Sequence, residues 1–435
     1  MSKTKDRNKG LLNIIFIGLV SFFTDISTEM VYPLIPLYLT AVFGVTPALI
    51  GLIEGIAESL ASLLKVYSGY ISDRFQRKKA LAFIGYAMGM VYKLVLIFTM
   101  SWVGVLLARV IDRFGKGVRT APRDVLVSES AAAGKMGSAF GLHKALDMAG
   151  MSLGILFAFL LFRNMAESGE GFDYIKVFWL SLVPGVLGLL MFLFIREKRD
   201  GSWQGSGRLS RRRSQKGVTA ITQEQPPSQE QPIPHRKPVP RLWQSFKTLN
   251  KQLKLYLLVV LLFTLGNSSN VFLLLKAQTV GFNAVNVILL YFIYSVTAAV
   301  FSMPLGRLSD KIGRKKLLVS GYFVFAIVYL GFAMAFSQGF MVLLFVLYGL
   351  YTAMITGVER AYVAEIAPAN LKGTMLGLQA TVAGLALLPA SLITGILWSV
   401  YGSVVPFVFG AVLSLAAAVV LLIFMHPARG AGDQP

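Results

Sequence analysis

Long apolar stretches with few breaks make up most of the chain. Runs of about 20 residues, each long enough to cross a bilayer core of about 30 Å as a helix, recur along it. Twelve can be placed, near 11–40, 47–72, 80–99, 101–124, 137–162, 175–196, 253–276, 283–308, 316–336, 338–364, 373–400 and 403–425. Within lipid a helix satisfies all its backbone polar groups inside one segment. The pattern therefore predicts an all-α integral membrane protein with twelve transmembrane helices, here spans 1 to 12. The first run is longer than a signal-peptide core, holds two acids and lacks a small-residue cleavage site, so it reads as a retained span.

One segment breaks the pattern. Residues 199–250 are rich in Gln, Pro, Ser and Arg, and ITQEQPPSQEQPIPHRKPVP has no periodicity. This composition predicts a flexible, basic cytoplasmic linker. The expected organisation is a six-helix bundle over 1–198, the linker over 199–250 and a second six-helix bundle over 251–435.

Composition agrees. The chain of 435 residues is 55% hydrophobic and 14% charged, with a mean hydropathy of +0.65, too apolar for a soluble protein of this size. With no cysteine and three histidines, neither thiolate nor histidine-rich metal sites are expected, and no cofactor motif is seen. The net charge of +21 changes the picture only through its distribution. Lys and Arg gather in KTKDRNKG, in DRFQRKK after span 2, in REKRDG and RLSRRRSQK between spans 6 and 7, and in DKIGRKK after span 8. The loops near 41–48, 277–286 and 336–339 carry none. This positive-inside pattern places both termini in the cytoplasm. Nucleic-acid binding would require a folded soluble module and is not expected. The RRR cluster can touch anionic lipid headgroups.

The two halves repeat. GYISDRFQRKK (69–79) and GRLSDKIGRKK (306–316) match at an offset of 237, and KMGSAFGLH (135–143) and LKGTMLGLQ (371–379) match at an offset of 236. Two matches at nearly one offset indicate a six-plus-six internal repeat. An even number of spans per repeat relates the halves by an axis along the membrane normal.

The paired G-x-x-x-D-[RK]-x-x-[RK]-[RK] loops after spans 2 and 8 resemble the signature of the major facilitator superfamily. SFFTDISTEMVYPLIPLYL, LIEGIAESLASLLK and DRFGKGVRTAPRDVL are similar to a prokaryotic branch of that superfamily. The resemblance covers all twelve spans and implies a transporter in a prokaryotic plasma (inner) membrane. It also implies that the loops form a conformational latch through Gly69, Asp73, Arg74 and Arg77 and through Gly306, Asp310, Lys311 and Arg314. Gln76 stands in the first loop where the second has Gly313. A topology signal plus a helix cap is the plainer reading of both loops.

Ionisable residues inside a membrane cost at least ~2.5 kcal/mol each at mid-helix and default to functional hypotheses. They concentrate in the first half. Asp25 and Glu29 on span 1 are four residues apart and share a face. An acid there can load and release a proton as access alternates; the alternative is a structural ion pair with a base on span 4 or 5. Span 2 carries Glu54 and Glu58, again at i and i+4. Glu54 is expected near the outer mouth and wet, and Glu58 deeper and the better coupling candidate. On span 4, Arg109, Asp112, Arg113 and Lys116 form one polar stripe. Arg113 is the first candidate for a substrate-facing cation, because a guanidinium reads carboxylate or phosphate bidentately; Arg109 and Asp112 accompany it. The competing reading is that Arg109 or Arg113 neutralises Asp25, Glu29 or Glu58. Pro122 is expected to end or kink span 4, with Arg123 and Asp124 near the span 2 loop. On span 5, His143 and Asp147 share a face and could relay protons. Lys93 on span 3 is expected to snorkel from the outer end.

In the second half, Asn267, Ser268, Ser269 and Asn270 form a polar break in span 7, suited to a substrate cavity. Glu359 and Arg360 align with Arg123 and Asp124 and are expected as a gate pair in the latch. Tyr291, Tyr294, Tyr348 and Tyr351 either line the cavity or sit as interfacial aromatics.

There is no G-x-x-x-x-G-K-[ST] phosphate loop and no catalytic constellation, so neither a nucleotide-driven pump nor an enzyme is expected. The expectation is a monomeric secondary transporter working by alternating access, with proton-coupled efflux of a small organic molecule. Proton-coupled uptake or exchange of an anionic metabolite, and a non-transporting membrane sensor or scaffold, are the alternatives.

Overall fold

The computed structural model describes residues 2–75, 78–131, 136–169, 171–199, 202–204, 251–366 and 372–425. Helices dominate. The first half comprises α1 (Ser2–Glu29), α2 (Leu34–Phe43), α3 (Pro47–Phe75), α4 (Lys78–Phe98), α5 (Trp102–Ser130), α6 (Met136–Glu167) and α7 (Tyr174–Met191). The second comprises α8 (Lys251–Gly266), α9 (Val271–Thr279), α10 (Ala284–Ile312), α11 (Arg314–Ala333), α12 (Gln338–Ile355), α13 (Val358–Ile366), α14 (Lys372–Tyr401) and α15 (Val405–Phe424). Among the described residues, eleven helices or helix pairs are long and apolar enough to cross a membrane. Span 4, α5, is the twelfth; its stripe of charges makes it too polar for that criterion. Beyond the helices, Glu197–Arg199 and Ser202–Gln204 pair as a short antiparallel ribbon after α7, which the helical pattern did not foresee. The body of the 199–250 linker lies outside the described residues.

The helices form two bundles of six spans. In the first, α1 packs on α6 and α7, and α5 on α3 and α4. In the second, α10 packs on α12, and α15 on α8 and α11. The halves meet where α3 crosses α14, α6 crosses α10 and α2 touches α9. One end of the molecule carries the basic loops; at the other, short connections turn the chain. There Gly44 (φ 61°) and Gly281 (φ 93°) follow α2 and α9 in backbone conformations that favour glycine. Ser101 and Ser337, equivalent in the repeat, accept hydrogen bonds from Gly104 N and Phe340 N and cap α5 and α12.

Three spans are broken. Span 1 splits at residues 30–33, just after Glu29, and span 7 splits at 267–270. The NSSN break was expected; its partner in span 1 was not, although Pro33 marks it. Span 10 splits at Thr356–Gly357, where Gly357 has φ 91°. Pro122, expected to end or kink span 4, lies inside α5, which continues to Ser130.

Candidate functional site

The charged stripe of α5 faces α3, and the two helices pair their charges. Arg109 Nε donates to Glu54 Oε1 at 2.8 Å and Nη2 to Oε2 at 2.7 Å. Both side chains are 1% exposed. Glu54 is therefore not the wet outer-mouth acid expected from its place near the start of span 2; α3 tilts it into the bundle, against α5. One turn further along each helix, Arg113 Nη2 lies 2.7 Å from Glu58 Oε1. Asp112 Oδ2 sits between the two arginines, 3.5 Å from Arg109 Nη1 and 3.7 Å from Arg113 Nε. The Tyr32 ring, at the break in span 1, lies under both guanidiniums, 5.2 Å from Arg109 Cζ and 5.7 Å from Arg113 Cζ.

The acids of span 1 are placed differently. The arginines neutralise Glu54 and Glu58, not Asp25 and Glu29. Among the described residues neither Asp25 nor Glu29 has a basic partner within 4.0 Å, and Glu29 Oε2 is buried without a hydrogen bond. The charges bearing on Asp25 are Asp147, Arg119, Lys116 and Arg123. Those bearing on Glu29 are Lys116, Asp25, Arg113 and Asp112.

A second polar cluster lies toward the basic end. Ser21 Oγ shares hydrogen bonds with Tyr86 OH (2.8 Å) and His143 Nε2 (3.1 Å). His143 Nδ1 is 3.6 Å from Asp147 Oδ1, and Asp147 Oδ2 is 3.9 Å from Arg123 Nη1. Arg123 also holds Asp124 at 2.9 Å, and Arg119 lies over the Tyr86 ring. Lys93, expected to snorkel, is instead fully buried, its Nζ donating to Gly89 O at 3.1 Å beside the Tyr92 ring. The α4–α5 interface that encloses it cannot be read from one helix alone.

The second half supplies an aromatic wall. Tyr32 meets Tyr291 across the two halves, with ring centroids 5.7 Å apart. Tyr291–Tyr294, Tyr294–Tyr348 and Tyr348–Tyr351 follow at 5.5, 5.2 and 5.2 Å. These tyrosines belong to the interior rather than to a headgroup belt. The span 7 break orders them: Asn267 Nδ2 donates to Tyr351 OH at 2.9 Å, Tyr348 OH to Asn270 Oδ1 at 2.8 Å and Asn270 Nδ2 to Tyr294 OH at 3.5 Å. Ser269 Oγ approaches Glu54 Oε2 at 3.4 Å, so the break touches the charged network of the other half.

The latch residues divide. The side chains of Gly69, Asp73 and Arg74, and all of Arg77, lie outside the described residues. In the second half, Arg314 reaches Asp310 (3.4 Å), Glu365 (3.2 Å) and Ala361 O (3.0 Å), tying α10, α11 and α13 together. Asp310 and Lys311 are exposed. Glu365, overlooked in the sequence, is the partner there. Glu359 and Arg360 do not pair: Glu359 accepts from Tyr322 OH at 3.0 Å and Arg360 is exposed. Lys78 pairs with Glu129 in the first half, as Arg314 does with Glu365. The structural register of the repeat thus equates Arg314 with Lys78, one residue away from the match of the RKK letters.

At the non-basic end the halves are pressed together. A Cβ on Gly55 would lie 2.9 Å from Leu388 O, and one on Gly395 2.6 Å from Pro47 O. At the basic end a Cβ on Gly141, Gly306 or Gly377 would meet no atom within 4 Å among the described residues. The charged site therefore lies behind a closed seam on one side and beneath loosely packed helices on the other.

The structure is thus two bundles around a buried charged centre, with one end closed. The family model of the Major Facilitator Superfamily matches residues 17–296 and 255–435. The chain belongs to the major facilitator superfamily. An uncharacterized MFS-type transporter of Methanocaldococcus jannaschii is 35% identical over 416 residues, covering 94% of each chain. A nucleoside transporter superposes with a TM-score of 0.75 at 11% identity, over 95% of this chain and 100% of its own. A D-xylose-proton symporter does so at 0.68 and 15% identity, over 97% and 98%. The chain is thus a multi-pass membrane transporter and not an enzyme.

Proposed function

We propose that the protein is a proton-coupled secondary transporter that exports a small organic molecule across a prokaryotic plasma membrane. The carrying observation is that Asp25 and Glu29, alone among the acids of the central site, lack a basic partner within 4.0 Å among the described residues. A carboxylate held by an arginine stays charged; one without such a partner can exchange a proton when the site changes side. His143 and Asp147 extend the polar path toward the basic end. With the basic loops and both termini in the cytoplasm, the structure is closed outside and loosened inside. The Arg314–Glu365 tie is then the cytoplasmic latch of the second half, and its first-half counterpart includes Lys78–Glu129. The unit of function is the monomer, with substrate, protons and lipid as its partners.

Uptake or exchange of an anionic metabolite is a second reading, favoured by Lys116. This side chain is exposed within the charged cluster and has no ion pair among the described residues. Reconstituted protein with a pH-sensitive dye inside the vesicles tests the coupling. A pH gradient should drive solute counter-movement, and Asp25→Asn or Glu29→Gln should abolish proton flux while the protein still folds. Undiminished proton flux in both variants would overturn the assignment, and everted vesicles decide direction.

A further inference from the structure

We propose that Arg113 and Lys116 form a binding site for a small organic carboxylate, and that Glu58 is the resident carboxylate which the substrate displaces. The proposal rests on the transport reading and adds the substrate class and the exchange step.

Two arginines one turn apart on α5 meet two glutamates one turn apart on α3, yet the pairs are unequal. Arg109 offers its Nε and Nη2 edge to both oxygens of Glu54. Arg113 offers Nη2 to Glu58, and its Nε, buried, has no hydrogen-bond partner among the described residues. Asp112 Oδ2, the acid nearest that Nε, is 3.7 Å away, beyond hydrogen-bond reach. The edge filled bidentately in Arg109 is thus half-filled in Arg113, whose side chain is only 5% exposed. A buried, unmet guanidinium donor is costly, and a planar carboxylate supplies the matching pair of oxygens.

Glu58 is also the glutamate able to leave. Its side chain is 30% exposed, against 1% for Glu54. Lys116, three residues beyond Arg113 and exposed, bears electrostatically on Glu58, so a displaced Glu58 has a cation to move to. The Tyr32 ring beneath Arg113 and its neighbour Tyr291 supply flat apolar surface from both halves. A carboxylate joined to a planar group would touch both halves at once, as a carrier that moves them must require.

The probe is benzoate, with benzylammonium and inorganic phosphate as controls, titrated calorimetrically into the full-length detergent-solubilised protein. Glu58→Gln removes the resident competitor, so benzoate should bind about tenfold tighter than to the wild type. Lys116→Gln, at an exposed position, should weaken binding several-fold, and Arg113→Lys should lose it. A diffuse electrostatic role would favour phosphate as much as benzoate, and a purely structural role would not tighten binding when Glu58 is replaced. The proposal is overturned if Glu58→Gln binds benzoate no tighter than the wild type does. It is equally overturned if benzylammonium or phosphate gains as much as benzoate. These are equilibrium measurements: undiminished proton flux in Asp25→Asn and Glu29→Gln would sink the coupling and leave this site standing, whereas abolished flux in those variants with no benzoate gain in Glu58→Gln would do the reverse.

Discussion

Glu54 and Arg109 are buried together so completely that removing either leaves the other's charge between α3 and α5 without its bidentate partner. Breaking such a pair costs about 3–5 kcal/mol. Glu54→Ala and Arg109→Ala should each lower the unfolding midpoint in detergent sharply. Glu58→Ala should cost less, because its partly exposed side chain is already near solvent. Equal losses at Glu54 and Glu58 would refute this ranking. The residues of this network were legible in the sequence as intramembrane charges on shared helical faces, and Arg113 with Glu58 was among the pairings considered. Which arginine took which acid was not legible. Depth and tilt decide whether Glu54 meets water or Arg109, and both depend on the helix opposite. Lys93 makes the same point: Asp112 and Arg119, which bear on it, lie on the next helix, and its own helix does not show how the two pack.

At the scale of the element, α3 and α14 carry the seam. Their glycines let backbones approach closely, and Ala48 N donates to Ser399 Oγ at 3.1 Å across the closed end. The chain has no cysteine of its own, so Ala48→Cys with Ser399→Cys is a clean pair. Oxidative cross-linking should stop transport and reduction should restore it; unchanged transport after complete cross-linking would show that the seam does not open. Lysines also hold the chain at, or a few residues beyond, the end of the last helix of each bundle. Lys79 Nζ donates to Ile195 O at 2.5 Å, and Lys315 Nζ to Leu422 O at 3.0 Å and Met425 O at 2.5 Å. Cations at helix C-termini contribute roughly 0.3–1 kcal/mol each. Lys79→Ala or Lys315→Ala should therefore lower the midpoint only slightly, a small shift that thermal unfolding can resolve. The runs of RKK were read as topology and latch. Their capping role depends on where α7 and α15 end, which the loop sequences do not state.

At the scale of the whole molecule, each half closes its own six-span bundle, and the two meet along a few helices. We expect residues 1–204 and 251–435, expressed as separate chains in one cell, to reassemble and transport. Failure of the fragments to co-purify would show that the connection between them is needed for assembly. The asymmetry between the halves belongs to this scale too: the buried Arg–Glu pairs lie in the first, and the run of stacked rings from Tyr291 to Tyr351 lies in the second. Tyr32–Tyr291 and Ser269–Glu54 are where they touch.

The sequence by itself determined the membrane class, the twelve spans, the repeat, the family and the concentration of ionisable residues in the first half. The class, spans, repeat and charge distribution follow from local hydropathy, composition and spacing, and the family from the resemblance of the paired loop motif; none of these needs a partner to be read. Tertiary structure alone decided which charges pair, which acids of span 1 have no basic partner among the described residues, which end of the molecule is closed, and that Tyr291, Tyr294, Tyr348 and Tyr351 form one interior wall. Those outcomes depend on helix rotation and tilt, set by packing between helices well separated in the chain: Glu54 and Arg109 are 55 residues apart, and Tyr32 and Tyr291 lie in different halves. A periodic pattern shows which residues share a face; only the neighbouring helix shows what that face meets.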